Sequence, residues 1–178
     1  MRSKIKECST IINDLMVIQP ESFFDHRGEN FETYNEEYYT SMFKSIAEFK
    51  NKDLKFVIDS YSNSIKNVLR GFHGDKDNWK LIDILKGNVY FIVIDTRVDS
   101  STYKNIQHFQ LNDKNRLQVL VPSGCVNAHL VTSDECIFHY KLTKNYVSIE
   151  NQIHVKWNDP EYNIFWPIKD PILSKRDK

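Results

Sequence analysis

From residue 54 onward the chain runs in short apolar stretches separated by turn signals. Phe56-Val57-Ile58, Lys80-Leu81-Ile82-Asp83-Ile84-Leu85 and Val89-Tyr90-Phe91-Ile92-Val93-Ile94 are rich in β-branched and aromatic residues. Further runs of the same kind fall at residues 106–111, 117–121, 129–132, 137–142 and 153–157. Runs of this length, bounded by turn-forming residues, predict strands, and the Lys86-Gly87-Asn88 turn between two of them predicts a hairpin. One helix is predicted: Asn35 is a suitable N-cap, and Tyr39, Met42, Phe43, Ile46 and Phe49 follow it at helical spacing. A parallel α/β sheet would need helices between its strands, and these are missing. The pattern predicts an all-β double-sheet jelly roll, a sandwich or barrel with a few short helices.

Length and composition narrow the picture. A chain of 178 residues with no repeat, no low-complexity run and no Ser/Gly/Pro-rich linker is expected to form one domain over residues 1–178. Its 24 Lys and Arg balance 24 Asp and Glu, so a general nucleic-acid binder, which needs excess cations against phosphates, is not expected. Three cysteines without a CxxC spacing suggest neither a disulfide framework nor a zinc ribbon, and read as reduced thiols. The charged start Met1-Arg2-Ser3-Lys4-Ile5-Lys6-Glu7 leads into no apolar core of a signal peptide, and no later stretch approaches the roughly 18 apolar residues of a membrane span. A cytoplasmic location with no membrane partner is expected.

Candidate chemistry concentrates in two segments. Val68-Leu69-Arg70-Gly71-Phe72-His73-Gly74-Asp75, with Lys80 following, gathers a guanidinium, an imidazole and an ammonium beside glycines that permit close backbone approach. This suits a small anionic or carbonyl ligand, and equally a surface histidine in a polar turn. In Val121-Pro122-Ser123-Gly124-Cys125-Val126-Asn127-Ala128-His129 a Pro/Gly turn delivers Asn127 and His129 into an apolar run, so His129 is either a ligand or a satisfied core residue. His73, Asp75 and His129 together have the form of a two-histidine, one-carboxylate iron site, a short pattern with many false positives. Tyr140 on its predicted strand reads first as packing. Asp177, in Leu173-Ser174-Lys175-Arg176-Asp177-Lys178, reads by composition as part of a solvated tail. Cys125 reads as a buried structural thiol.

Taken in order along the chain, a set of strings resembles one family. They are Phe23-Phe24-Asp25-His26-Arg27-Gly28 with Phe31-Glu32, Asn67-Val68-Leu69-Arg70-Gly71-Phe72-His73, Lys80-Leu81, Ile94-Asp95-Thr96-Arg97, Val121-Pro122-Ser123-Gly124, Tyr140-Lys141, Trp157-Asn158-Asp159-Pro160, Ile164-Phe165-Trp166-Pro167 and residues 173–177. This succession is similar to the nucleotide-sugar 3,5-epimerases typified by dTDP-4-dehydrorhamnose 3,5-epimerase. The resemblance implies a cupin-type jelly roll working as a homodimer, without metal or cofactor, on a nucleoside-diphosphate 4-keto sugar linked to GDP or dTDP. It implies His73 as base, Asp177 as the carboxylate orienting it, Tyr140 as the acid across the ring, and Lys80 and Arg70 as cations near the sugar. Arg27, Phe23 and Glu32 fall where the family contacts the nucleotide. The usual cupin metal pattern of paired histidines and a Glu is absent from this chain, so no metal is expected.

These residue types suit that chemistry. A hydrogen on C3 or C5 flanks the C4 ketone, and its removal leaves an enolate with charge on the keto oxygen. Inversion then needs a second proton carrier on the opposite face. A near-neutral imidazole held by a carboxylate takes the proton, a tyrosine returns one, and an ammonium faces the oxyanion.

The chain also departs from the family. Asn127 replaces a family histidine, His129 is new, Gly74-Asp75 follows His73 in place of an aromatic and Gln, and Ile58 and Ser60 stand where dTDP enzymes often have Gln and Asn. The substrate-contacting Asn127 and His129 variant resembles a subgroup acting on GDP-4-keto-heptoses in bacterial capsule biosynthesis, with Gly74 expected to leave room for a longer C6 substituent. A dTDP-4-keto-6-deoxyglucose 3,5-epimerase is the alternative. An iron oxygenase on His73, Asp75 and His129, and a non-catalytic cupin sugar-binding module, are the readings from other classes.

Overall fold

A computed structural model of the chain describes residues 6–145 and 149–178. Its strands are β1 (Lys6–Cys8), β2 (Met16–Gln19), β3 (Phe23–Asp25), β4 (Gly28–Asn30), β5 (Ile58–Ile65), β6 (Leu69–Asp75), β7 (Lys80–Lys86), β8 (Asn88–Asp95), β9 (Ile106–Asn112), β10 (Gln118–Val121), β11 (Cys125–Val131), β12 (Glu135–Leu142) and β13 (Gln152–His154). Two short helices, α1 (Glu36–Phe43) and α2 (Ala47–Lys52), precede β5. A six-stranded sheet in the order β1-β2-β10-β7-β12-β5 faces a five-stranded sheet in the order β13-β6-β11-β8-β9. Among the described residues, β3 and β4 pair only with each other. This is the expected double-sheet jelly roll, and no helix among the described residues is long and apolar enough to cross a membrane.

Apolar residues cover three surfaces. Between the sheets, Ile82, Ile84, Phe91, Val93, Val119 and Phe138 belong to one buried cluster. Outside the six-stranded sheet, Tyr39, Phe43 and Phe49 of the helices pack with Trp79, Leu81 and Leu120. Outside the five-stranded sheet, Phe72, Ile92, Ile94 and Val126 lie under Ile153, Tyr162 and Trp166. Both faces of β8 are therefore covered, which explains its unbroken apolar run: Val89, Phe91 and Val93 face the inner core while Ile92 and Ile94 face the outer one.

Two expectations are corrected. The hairpin at residues 86–88 is a corner between sheets: β7 pairs with β10 and β12, and β8 with β11 and β9. Gly87 takes φ +87°, its N–H donates to Asp113, and an added Cβ would collide with Ser133 and Glu135. A glycine turn between two β runs signals either geometry, and distant strands decide which. The single helix is broken after α1, where Ser45 Oγ donates to the Met42 carbonyl and Ile46 becomes extended, ψ 122°. Asn35 does cap α1, its side chain accepting from the Tyr38 N–H.

Candidate active site

The apolar core fills only part of the space between the sheets. The rest is a cavity of about 480 Å3. Ile58, Ser60 and Ser62 of β5, Phe138 and Tyr140 of β12, and Lys80 of β7 line one wall, each set following the two-residue period of a strand. Arg70 and His73 of β6 and Asn127 and His129 of β11 line the other, with Asp177 beside them.

Arg70 and His73 are three residues apart, a spacing that puts side chains on opposite faces of a regular strand. A bulge corrects the parity. Asn127 pairs with His73 and His129 with Arg70, so Gly71 and Phe72 together oppose the single residue Ala128. Gly71 has φ +121°, and a Cβ there would lie 2.6 Å from the Asn127 carbonyl oxygen, so only glycine fits. Phe72 turns outward to pack near Trp166, while both polar side chains face the cavity.

His73 Nε2 lies 2.7 Å from Asp177 Oδ1, and Ser174 Oγ donates to Asp177 Oδ2 at 2.8 Å. Asp177 is 3% exposed, so the solvated tail read from composition is in fact folded against the cavity. The parallel bridge of Val68 with Ile172 holds this segment beside the start of β6. An ionised carboxylate only accepts, so the hydrogen-bond network assigns the proton to His73 Nε2 and leaves the lone pair on Nδ1. Burial pushes the His73 pKa below its ordinary value; the Asp177 charge and hydrogen bond oppose that, while Arg176 and Lys80 add to it.

Lys80 Nζ donates to the His73 carbonyl and to Asn127 Oδ1, both at 2.9 Å. Both acceptors are neutral. Desolvation therefore lowers the Lys80 pKa to about 8, with Asp75 opposing and Arg176 adding to the effect. An ammonium has three N–H donors, and two of them are engaged here. Arg70 donates to Ser64 Oγ through Nε and Nη2. Tyr140 stands on the wall facing His73, belonging to the six-stranded sheet where His73 belongs to the five-stranded one.

His129 is the least satisfied group. It is 4% exposed, its ring stacks on Phe138 at 3.9 Å between centroids, and Nε2 has no hydrogen-bond partner among the described residues. Desolvation, with Arg70 and His73 nearby, pushes its pKa down to about 3, so the ring is neutral.

Other candidates lie elsewhere or act differently. Phe23 and Arg27 stand on the exposed β3–β4 hairpin, Arg27 paired with Asp25, and Glu32 is exposed near Asn35. None of the three lines this chain's cavity. A Cβ on Gly74 would run into the Cys125 carbonyl, so this glycine serves the close approach of β6 and β11 and does not open a space toward the sugar. The iron-type set of His73, Asp75 and His129 does not form: the ligand-type atoms that converge among the described residues belong to His73, His154 and Asp177. Cys125 is buried with its pKa raised to about 12 by desolvation, which keeps it a thiol and a poor nucleophile. Sequence reasoning missed His154 and Ser174. His154 enters only because β13 pairs with β6, a contact that no local pattern announces.

The jelly roll gathers an imidazole–carboxylate pair, an ammonium and a tyrosine, groups able to take up and return protons, around one cavity. The model of the family described as dTDP-4-dehydrorhamnose 3,5-epimerase matches residues 9–178. The dTDP-4-dehydrorhamnose 3,5-epimerase of Methanothermobacter thermautotrophicus is 33% identical over 174 residues, covering 95% of this chain and 89% of its own. Among solved structures, the dTDP-4-dehydrorhamnose 3,5-epimerase of Elizabethkingia anophelis superposes with a TM-score of 0.83 at 33% identity, covering 97% of this chain and 93% of its own. The Legionella pneumophila dTDP-6-deoxy-D-glucose-3,5-epimerase, in complex with dTDP-4-keto-L-rhamnose, gives a TM-score of 0.87 at 29% identity, covering 98% and 90%. The chain belongs to the dTDP-4-dehydrorhamnose 3,5-epimerase family and is a nucleotide-sugar epimerase, an isomerase. The relatives named here carry dTDP-sugar names; the expected kinship with GDP-heptose enzymes is not reflected in them.

Proposed function

We propose that the protein inverts C3 and C5 of a dTDP-linked 4-keto-6-deoxy sugar by proton abstraction next to the ketone. The observation that carries this reading is the His73–Asp177 pair on one wall of the cavity, facing Tyr140 on the other, with Lys80 reaching across from the Tyr140 wall to the His73 carbonyl. His73 Nδ1 takes the proton from the carbon flanking C4, and Asp177 stabilises the imidazolium that forms. Negative charge moves to the C4 oxygen, where the Lys80 ammonium meets it. Tyr140 delivers a proton to the opposite face, which completes inversion. Arg70 contacts the substrate from the His73 wall, and Asn127 on that wall sets Lys80.

The experiment is proton NMR in deuterium oxide with dTDP-4-keto-6-deoxyglucose, following the C3 and C5 signals. Loss of both, abolished by His73→Asn, is expected. Loss at C3 alone makes the enzyme a 3-epimerase. No exchange with this or any other nucleotide 4-keto sugar overturns the reading in favour of a binding module.

A second substrate, a GDP-linked 4-keto-heptose, is favoured by one observation: His129 lines the cavity with a buried, orphaned Nε2, and a hydroxyl of a more polar sugar that displaced the ring toward the cavity would give it a partner. Running the same exchange assay with both substrates separates the two by their kcat/KM ratio.

The homodimer reading is supported by the exposed hairpin. Phe23, Phe24 and Arg27 lie away from their own cavity, as residues supplied to a neighbour's nucleotide site would. Mixing inactive Arg27→Ala and His73→Asn chains should restore partial activity, because one site in each mixed dimer regains both groups. Failure of complementation, with the chain sedimenting as a monomer, overturns this.

A further inference from the structure

His154 plays no part in the proton-transfer scheme, yet it stands directly beside it. Its ring lies 5.5 Å from that of His73 between centroids, inclined by 27°, because His154 is the register partner of His73 across β13 and β6. Its Nε2 lies 3.8 Å from Asp177 Oδ1, the same oxygen that His73 Nε2 approaches at 2.7 Å. One ligand atom from each of the three residues falls within 4.8 Å of those of the other two. Zinc bonds of about 2.0–2.1 Å in a tetrahedral arrangement separate neighbouring ligand atoms by roughly 3.3 Å, a spacing that the two observed distances bracket.

The geometry points to a divalent-metal site of zinc type formed by His73 Nε2, His154 Nε2 and Asp177 Oδ1, overlapping the base and silencing it when filled. Two imidazoles and one carboxylate are a borderline donor set suited to zinc, cobalt or nickel and poorly suited to magnesium or calcium. Both histidines are partly exposed, with side chains 28% and 34% accessible, so an ion and its remaining waters have a path in. The other imidazole–carboxylate cluster lacks this opening: His139 has Asp83 on one ring nitrogen and Asp59 on the other, and Asp59 also accepts from Lys141.

Silencing follows from proton bookkeeping on one ring. In the metal-free site His73 Nε2 carries the proton and Nδ1 the lone pair. A metal takes the Nε2 lone pair, so the Nε2 proton leaves to solvent and Nδ1 acquires one. Charge on the ring is unchanged, but Nδ1 is now an N–H and has no lone pair to accept a proton from carbon. Arg176 and Lys80 lie close enough to act on His73 electrostatically, and their positive charge weakens the site relative to a structural zinc centre. The site is one for reversible inhibition. The binding claim stands on geometry alone, and the inhibition claim rests on the function proposed above.

The test uses the whole chain stripped with chelator. Zinc binding is measured by calorimetry, and cobalt(II) binding by the visible absorption of nitrogen- and oxygen-ligated tetrahedral cobalt. His154→Phe keeps an aromatic ring against His73 and removes only the ligand atom. Saturable binding of a single ion per chain is expected, weakened at least about tenfold in His154→Phe, a difference of about 1.4 kcal/mol. Zinc should inhibit wild-type exchange competitively with substrate, chelator should restore it, and His154→Phe should turn over normally while losing the sensitivity. Absence of saturable binding, or binding that His154→Phe leaves unchanged, overturns the site. Binding without inhibition overturns the overlap with the base. A chain inactive toward every sugar even without metal sinks the function proposed above, while calorimetry still decides the metal site.

Discussion

The Asp177 carboxylate reaches His73 Nε2 at 2.7 Å across 104 residues of sequence, and is itself buried. Its neighbour Ser174 occupies the second carboxylate oxygen, so the group that orients the imidazole is oriented in turn. Replacing Asp177 by Asn keeps the shape but lets an amide N–H face the ring and favour the wrong tautomer. By analogy with hydrolase triads the expected loss in kcat is about 10^3- to 10^4-fold with KM little changed. Steady-state kinetics check this; a loss under tenfold would show that Asp177 does not set the base. Ser174→Ala should cost far less.

Lys80 and His73 set opposite limbs of the pH profile. The base must be neutral, and burial places its pKa below the ordinary value of about 6.5, so kcat/KM should rise as pH increases through a value under 6.5. Lys80 must be charged, and desolvation has brought it to about 8, so activity should fall as pH increases through that value. Lys80→Met should lower kcat by about 10^2- to 10^3-fold, the usual loss of an oxyanion donor. Whatever activity Lys80→Arg retains should stay flat on the alkaline side, since a guanidinium does not titrate there.

His129 should trade stability for binding. Its unpaired Nε2 is buried, and leaving such a group unsatisfied costs about 1–3 kcal/mol. His129→Phe keeps the stack on Phe138 and removes that cost, so thermal unfolding should shift upward while affinity for the sugar nucleotide falls. A variant that is both less stable and fully active would mean that the nitrogen is satisfied in solution and uninvolved with substrate.

A separate pH effect belongs to the outer face of the six-stranded sheet. The hydrogen bond to Asp83, then the Asp83 charge and the Asp59 contacts, raise the His139 pKa against desolvation. A folded-state pKa above the unfolded value makes this contribution fully present below about 6.5 and lost as pH rises through the raised value. Melting temperature should therefore decline over that interval. In His139→Gln the decline should disappear, and its persistence would assign the effect to another group.

Gly71→Ala tests the bulge. The φ of +121° and the 2.6 Å approach to Asn127 leave no place for a methyl group. Strain of this kind costs about 1–3 kcal/mol, and the alternative of a regular strand turns either Arg70 or His73 out of the cavity. Both the denaturation midpoint and kcat should fall, whereas an unaffected kcat would show that the bulge does not position the site.

The sequence by itself determined the class of fold and the inventory of chemistry. Short β-branched and aromatic runs between turn signals marked most of the strands, Asn35 marked the start of α1, and the strings around Arg70-Gly71-Phe72-His73 and Lys80 marked the site and its family. What it left out has a common cause. β5 and β6 were not legible as full strands because the residues they turn inward, Ser60, Ser62, Arg70 and His73, line a cavity instead of a core, so the apolar alternation that betrays a strand is absent where function lies. The β7–β8 corner, the covering of Asp177 and the stack of His154 on His73 were decided by tertiary structure alone. Each depends on pairing between segments far apart in the chain, and short-range pattern carries no information about which strand becomes whose neighbour.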